Sequence, residues 1–151
     1  MKKILVVLLI LFGLTGCGGN TAKGAVDNYM KKYRDVLKKQ YKDLSYEIVE
    51  EEYDEDVSYV TVKITVYDLY KAQSDASVYL SNNPEEFYDE SGVYDVNRYI
   101  DYKLDKMKDM NDRIEYTIVF TVTKEDDKYI VEQPTNNDLE KIHGIYNYEI
   151  S

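Results

Sequence analysis

Tryptophan is absent from this 151-residue chain, and cysteine and histidine occur once each, as Cys17 and His143. A single cysteine cannot close an intramolecular disulfide, so the fold must hold without a covalent staple. One cysteine and one histidine also fall short of the nitrogen and sulfur ligands that a zinc site needs. No GxSxG or comparable nucleophile setting occurs. His143 lies near the end of an expected short helix, where it reads as a partner of the helix dipole rather than as a base. With only two prolines and no low-complexity tract or fixed-period repeat, nothing divides the chain into separate domains. No apolar run approaches the roughly 20 residues that crossing a bilayer requires.

What is present begins at the N-terminus. Lys2 and Lys3 precede an apolar stretch over residues 4–14, broken by Gly13, which leads into Leu14-Thr15-Gly16-Cys17 and then Gly18-Gly19-Asn20. A basic start, a short apolar run and small residues at the end describe a secretory signal peptide. Its final residues resemble the lipobox of bacterial lipoproteins. That resemblance implies cleavage before Cys17, diacylation of the Cys17 sulfur, and residence on the extracytoplasmic face of the cell membrane. Two acyl chains suffice for stable anchoring without a basic patch. A lipidated Cys17 is also unavailable for a cysteine–histidine dyad. The expected organisation is a signal peptide over residues 1–16, a lipidated tether over 17–22 and a single domain over 23–151.

The chain carries 29 acidic and 19 basic residues, a formal charge of −10. Cleavage would remove two of those basic residues, leaving 17 against 29 and a charge of −12. Such a surface repels phosphate backbones, so nucleic acid is excluded as a partner. The acidic runs Glu50-Glu51-Glu52-Tyr53-Asp54-Glu55-Asp56 and Glu125-Asp126-Asp127 lack the alternating ligands and central glycine of an EF-hand loop. In a strand, neighbouring carboxylates also face opposite ways. No metal site or cofactor is therefore expected. Asp68, at the end of the second strand and on its apolar parity, is the one acid expected to be partly buried, but nothing supplies the second carboxylate that a paired-acid hydrolase needs. No catalytic residue is assigned, and the chain is read as non-enzymatic.

The periodicity is clear along most of the chain. Val26, Met30, Tyr33, Leu37, Tyr41 and Leu44 fall at spacings of three and four, which predicts an amphipathic helix over residues 23–44, its stripe widened by Ala25, Tyr29 and Val36. Residues 46–53 and 57–69 predict a hairpin turning at Asp54-Glu55-Asp56. In its second strand Val60, Val62, Ile64 and Val66 face one way, and Tyr59, Thr61, Lys63, Thr65 and Tyr67 the other. Helices are expected over 72–80 and over 95–110, the latter capped by Asp95. A second hairpin follows, turning at residues 124–127. Pro134 ends it, and a short helix capped by Asn136 or Asn137 stops at Gly144. Residues 145–150 read as a final edge or a tail. The predicted class is α+β: an antiparallel sheet of about four strands, in two hairpins, packed against the N-terminal helix and the middle helices.

A helix behind a lipobox, a tyrosine-rich first hairpin, and a last hairpin running Val119-Phe120-Thr121-Val122-Thr123-Lys124-Glu125-Asp126-Asp127-Lys128-Tyr129-Ile130-Val131 resemble the small lipoproteins with nuclear transport factor 2-like or cystatin-like domains. These folds host many functions, so the resemblance carries no site residue with it. The 17 tyrosines offer flat apolar rings with polar tips, suited to protein contacts or stacking on sugars. Tyr59 and Tyr67 share the polar side of one strand and form the candidate binding face. Two functions follow as expectations. The first is an interaction module for an envelope protein or a cell-wall polymer. The second is a small-ligand domain whose pocket lies between sheet and helices, lined by Val60, Val62, Ile64, Ile118 and Phe120.

Overall fold

The computed structural model describes residues 21–150, and the lipobox and Cys17 lie outside them. Helix α1 (Ala22–Asp43) starts where the Thr21 hydroxyl accepts the Gly24 N–H at 3.0 Å, the N-cap geometry that satisfies an otherwise orphaned donor. Strands β1 (Ser45–Asp54) and β2 (Val57–Tyr67) form the first hairpin, with Glu55 in its two-residue turn at φ 53°. Helix α2 (Leu69–Asn82), a 3-10 turn (Pro84–Phe87) and helix α3 (Val96–Asp109) make the middle of the chain. Strands β3 (Arg113–Glu125) and β4 (Lys128–Val131) form the second hairpin, and α4 (Asn136–His143) follows.

Several boundaries differ from those the sequence predicts. The second strand ends at Tyr67, not at residue 69, because the Asp68 carboxylate accepts the Lys71 N–H at 2.9 Å and starts α2 there. The cap of α4 is Thr135 rather than Asn136 or Asn137, its hydroxyl accepting from the Asp138 N–H. Asp95 caps α3 as expected, accepting from Asn97 and Arg98. Gly144 ends α4 in the left-handed region at φ 73°.

The protein is α+β, with one antiparallel sheet of strand order β1-β2-β3-β4. Cross-strand partners share a face. On the inner face Val62 stands opposite Ile118, Ile64 opposite Tyr116 and Val66 opposite Ile114. Opposite the β2 row lie Tyr46, Ile48, Glu51 and Tyr53 of β1, a bulge at Val49 having shifted the register.

The core has two parts. One gathers Val36 of α1, Leu69 and Ala72 of α2, and Leu104 and Met107 of α3 into a three-helix cluster. The other joins Val62, Ile64, Val66 and Ile118 beneath Leu44 and Ile142. The N-terminal helix therefore packs mainly on α3 and reaches the sheet at the end of β2, where Gln40 meets Tyr67, and at the start of β3, where Arg113 meets Asp43. Phe87 seeds a smaller aromatic group, with Tyr79, Tyr99 and Tyr102 edge-on around it. Much of the tyrosine content is thus packing material.

The buried side of α1 is rotated from the predicted stripe. Val36 and Gln40 are its buried residues, with Tyr29 and Tyr33 packed beside them, while Val26, Met30 and Tyr41 face solvent. Among the described residues no helix is long and apolar enough to cross a membrane.

Candidate functional site

The two tyrosines of the candidate face have different surroundings. Tyr59 is the third residue of β2, on the outer face between Glu52 and Thr121, 39 % exposed. Tyr67 occupies the strand's end, where the tertiary structure closes over it. Its hydroxyl donates to Asp43 at 2.8 Å, and its ring lies 4.4 Å from Lys39 Nζ and 4.7 Å from the Arg113 guanidinium carbon. Those cations stack on the ring's negative face. The bond to Asp43 raises the Tyr67 pKa, with burial adding to it and Arg113 opposing. Lys39 also donates to the carbonyls of Lys108 and Met110, and Arg113 to those of Asp43 and Thr65, so both cations are anchored in place. Tyr67 joins α1, β2 and β3 through these contacts and is half-buried, whereas Tyr59 is exposed. The outer face that remains is centred on Tyr59, with Val119 exposed on the next strand and Ile130 on β4.

The space expected to form a pocket beneath the sheet is packed. Val62, Ile64 and Ile118 are buried, and Leu44, Val60, Phe120 and Ile142 press against them. Close packing is the ordinary state of such an interior. A groove of about 250 Å³ lies elsewhere, between α1 and α3, lined by Ala25, Asn28, Tyr29, Lys32, Ile100 and Asp101. The ion pair of Lys32 and Asp101, at 2.7 Å, bridges its walls.

Asp68 is buried, as its parity suggests, and its role is structural. One carboxylate oxygen caps α2, and the other accepts the Tyr148 hydroxyl at 3.0 Å. Around it the segment after α4 folds back over the sheet. Tyr148 meets Tyr70 edge-on at 4.9 Å, and Tyr146 meets Tyr116 at 6.0 Å. The Tyr116 hydroxyl is buried with no hydrogen-bond partner among the described residues. Desolvation, with the charge of Asp68 adding to it, pushes the Tyr116 pKa up to about 12. Tyr148 rises to about 12 by desolvation first and the bond to Asp68 second. His143 ends α4, edge-on to Tyr41, and its carbonyl accepts from Gln40.

Glu50 and Glu52 project to the outer face and Glu51 to the inner, which disperses the acidic run. Among the described residues no three metal-ligating side chains converge. Polar Gln40, buried within an apolar helix face, is the structural residue that apolar periodicity passes over; its only sequence signal is its place in the Val36 row. Comparison with known protein families, curated proteins and solved structures finds no match to this chain.

Proposed function

We propose that this chain is a lipoprotein anchored through lipid on Cys17 to the extracytoplasmic face of a bacterial cell membrane, and that its domain is a non-enzymatic interaction module for an envelope protein or cell-wall polymer. The observation that carries the interaction reading is the open outer face of the sheet, where Tyr59, Val119 and Ile130 remain exposed. Apolar and aromatic side chains left uncovered on a small domain mark a surface that meets something else. The signal-peptide pattern and the cysteine that closes it support the anchor.

Cys17→Ser tests the anchor: the variant should lose lipid labelling and leave the membrane fraction. Acylation that persists at wild-type level would refute it. Tyr59→Ala tests the interaction: cross-linking of the anchored protein to its partner in whole cells should fall, while the fold stays intact.

The groove between α1 and α3 supports a second reading, a small-ligand site beside Tyr29. In that case Tyr29→Ala, not Tyr59→Ala, would remove the thermal stabilisation produced by the ligand.

A further inference from the structure

We infer that β1 is a docking edge for an extended, lysine- or arginine-bearing segment of a partner protein, which pairs along it as a fifth strand. The inference rests on the interaction reading above and names the chemistry of the partner.

The backbone supplies the first argument. β1 is ten residues long and stands at the end of the sheet with only β2 beside it. Among the described residues, no backbone hydrogen bond links β1 to anything but β2. Alternate N–H and C=O groups along its far side are therefore open to pairing. β4, the opposite edge, has only four residues and offers a much shorter template.

The side chains supply the second. Tyr46, Ile48 and Tyr53 lie on the inner face and are 69 %, 61 % and 71 % exposed. They extend the apolar row of Val60, Val62 and Ile64 beyond the part of the sheet that α4 covers. An added strand would bring its own apolar residues alongside them.

Charge selects the occupant. Glu47, Glu50 and Glu52 line the outer side of β1, and among the described residues none forms an ion pair. Lys63, directly across from Glu47, bonds instead to Glu115 at 3.4 Å. Two copies of β1 would set carboxylates against carboxylates, and the bulge at Val49 further spoils self-pairing, so a second copy of this chain is disfavoured. A cationic strand converts the same repulsion into attraction.

The test uses the full-length chain in detergent micelles at about 0.15 M salt, where distant charges are screened. The probe is a synthetic peptide of alternating lysine and valine, as long as β1, with a glutamate–valine peptide as control. The lysine peptide should bind saturably and slow hydrogen exchange at alternate β1 amides. Tyr46→Ser with Ile48→Ser, which keeps the charge, should weaken binding about tenfold or more. Glu47→Lys with Glu50→Lys and Glu52→Lys should reverse the preference between the peptides. Binding that leaves β1 amides unprotected, or that ignores both sets of substitutions, would reduce the effect to attraction by an acidic surface and overturn the inference. If the peptide fails while a photo-cross-linker at position 59 still reaches a partner in whole cells, strand addition falls and the interaction reading stands. Failure of both removes the interaction reading as well.

Discussion

Gln40 and Tyr67 exchange two hydrogen bonds: the Tyr67 N–H donates to Gln40 Oε1 at 2.8 Å, and Gln40 Nε2 donates to the Tyr67 carbonyl at 2.9 Å. The same Nε2 donates to the His143 carbonyl at 2.9 Å, and the side chain is wholly buried. A side-chain amide thus takes the place of a β1 neighbour beside Tyr67, beyond the last β1–β2 pair of Ser45 and Thr65, and ties α1 to both the sheet and α4. Gln40→Leu keeps the volume but leaves three backbone groups unpaired, and should cost about 3 kcal/mol or more, since each buried unmet polar group costs about 1–3. Urea unfolding measures this; a variant as stable as the wild type would show that the bonds add nothing net.

Gly144 closes the same junction. Its φ of 73° disfavours any side chain, and a Cβ there would collide with the Tyr67 carbonyl and the Gln40 amide. Gly92 has nearly the same φ, 75°, but its Cβ would meet nothing. Gly92→Ala should cost about 1–2 kcal/mol of backbone strain alone. Gly144→Ala should cost about 2–3 kcal/mol more than that, the usual scale of overpacking. Equal melting temperatures for the two variants would contradict the collision.

The tyrosines of β2 should separate on mutation. Tyr59→Ala, on the open face, should change stability by less than about 1 kcal/mol. Tyr67→Ala should cost about 3 kcal/mol or more, because it empties the site under Lys39 and Arg113 and strands the Asp43 contact. Ile64→Ala should cost about 2–5 kcal/mol, as a filled core requires. Chemical denaturation of the three variants checks the order, and a tolerant Ile64 would reopen the possibility of a pocket under the sheet.

Tyr116 and Tyr148 give alkaline unfolding a defined window. Both are raised in the folded protein to about 12, above the ordinary 10 of an exposed tyrosine. Between those values the unfolded chain has released protons that the folded one retains, so stability falls as pH rises. The contribution is complete below pH 10 and gone above about 12. Spectrophotometric titration should show two tyrosines ionising after the others. Tyr148→Phe should delete one late ionisation and flatten the alkaline slope of stability.

The local elements were largely readable in the chain. Alternation of Val60, Val62, Ile64 and Val66 predicts β2 and its buried parity, and Asp95 and Gly144 mark helix ends through their own chemistry. These features depend on neighbours one to four residues away, and the sequence contains those neighbours in order.

Which face of α1 would be buried, and which tyrosine would stay open, was decided only by the tertiary structure. Apolar spacing admits a broad stripe on α1, and docking against α3 and the end of β2 chose the side that carries Val36 and Gln40. Tyr59 and Tyr67 have the same parity, but Tyr67 meets residues brought from α1 and β3. The bonds that hold the buried Gln40 amide join positions 27 and 103 residues apart. Periodicity sets which residues share a side of an element; long-range packing sets which side meets the rest of the protein.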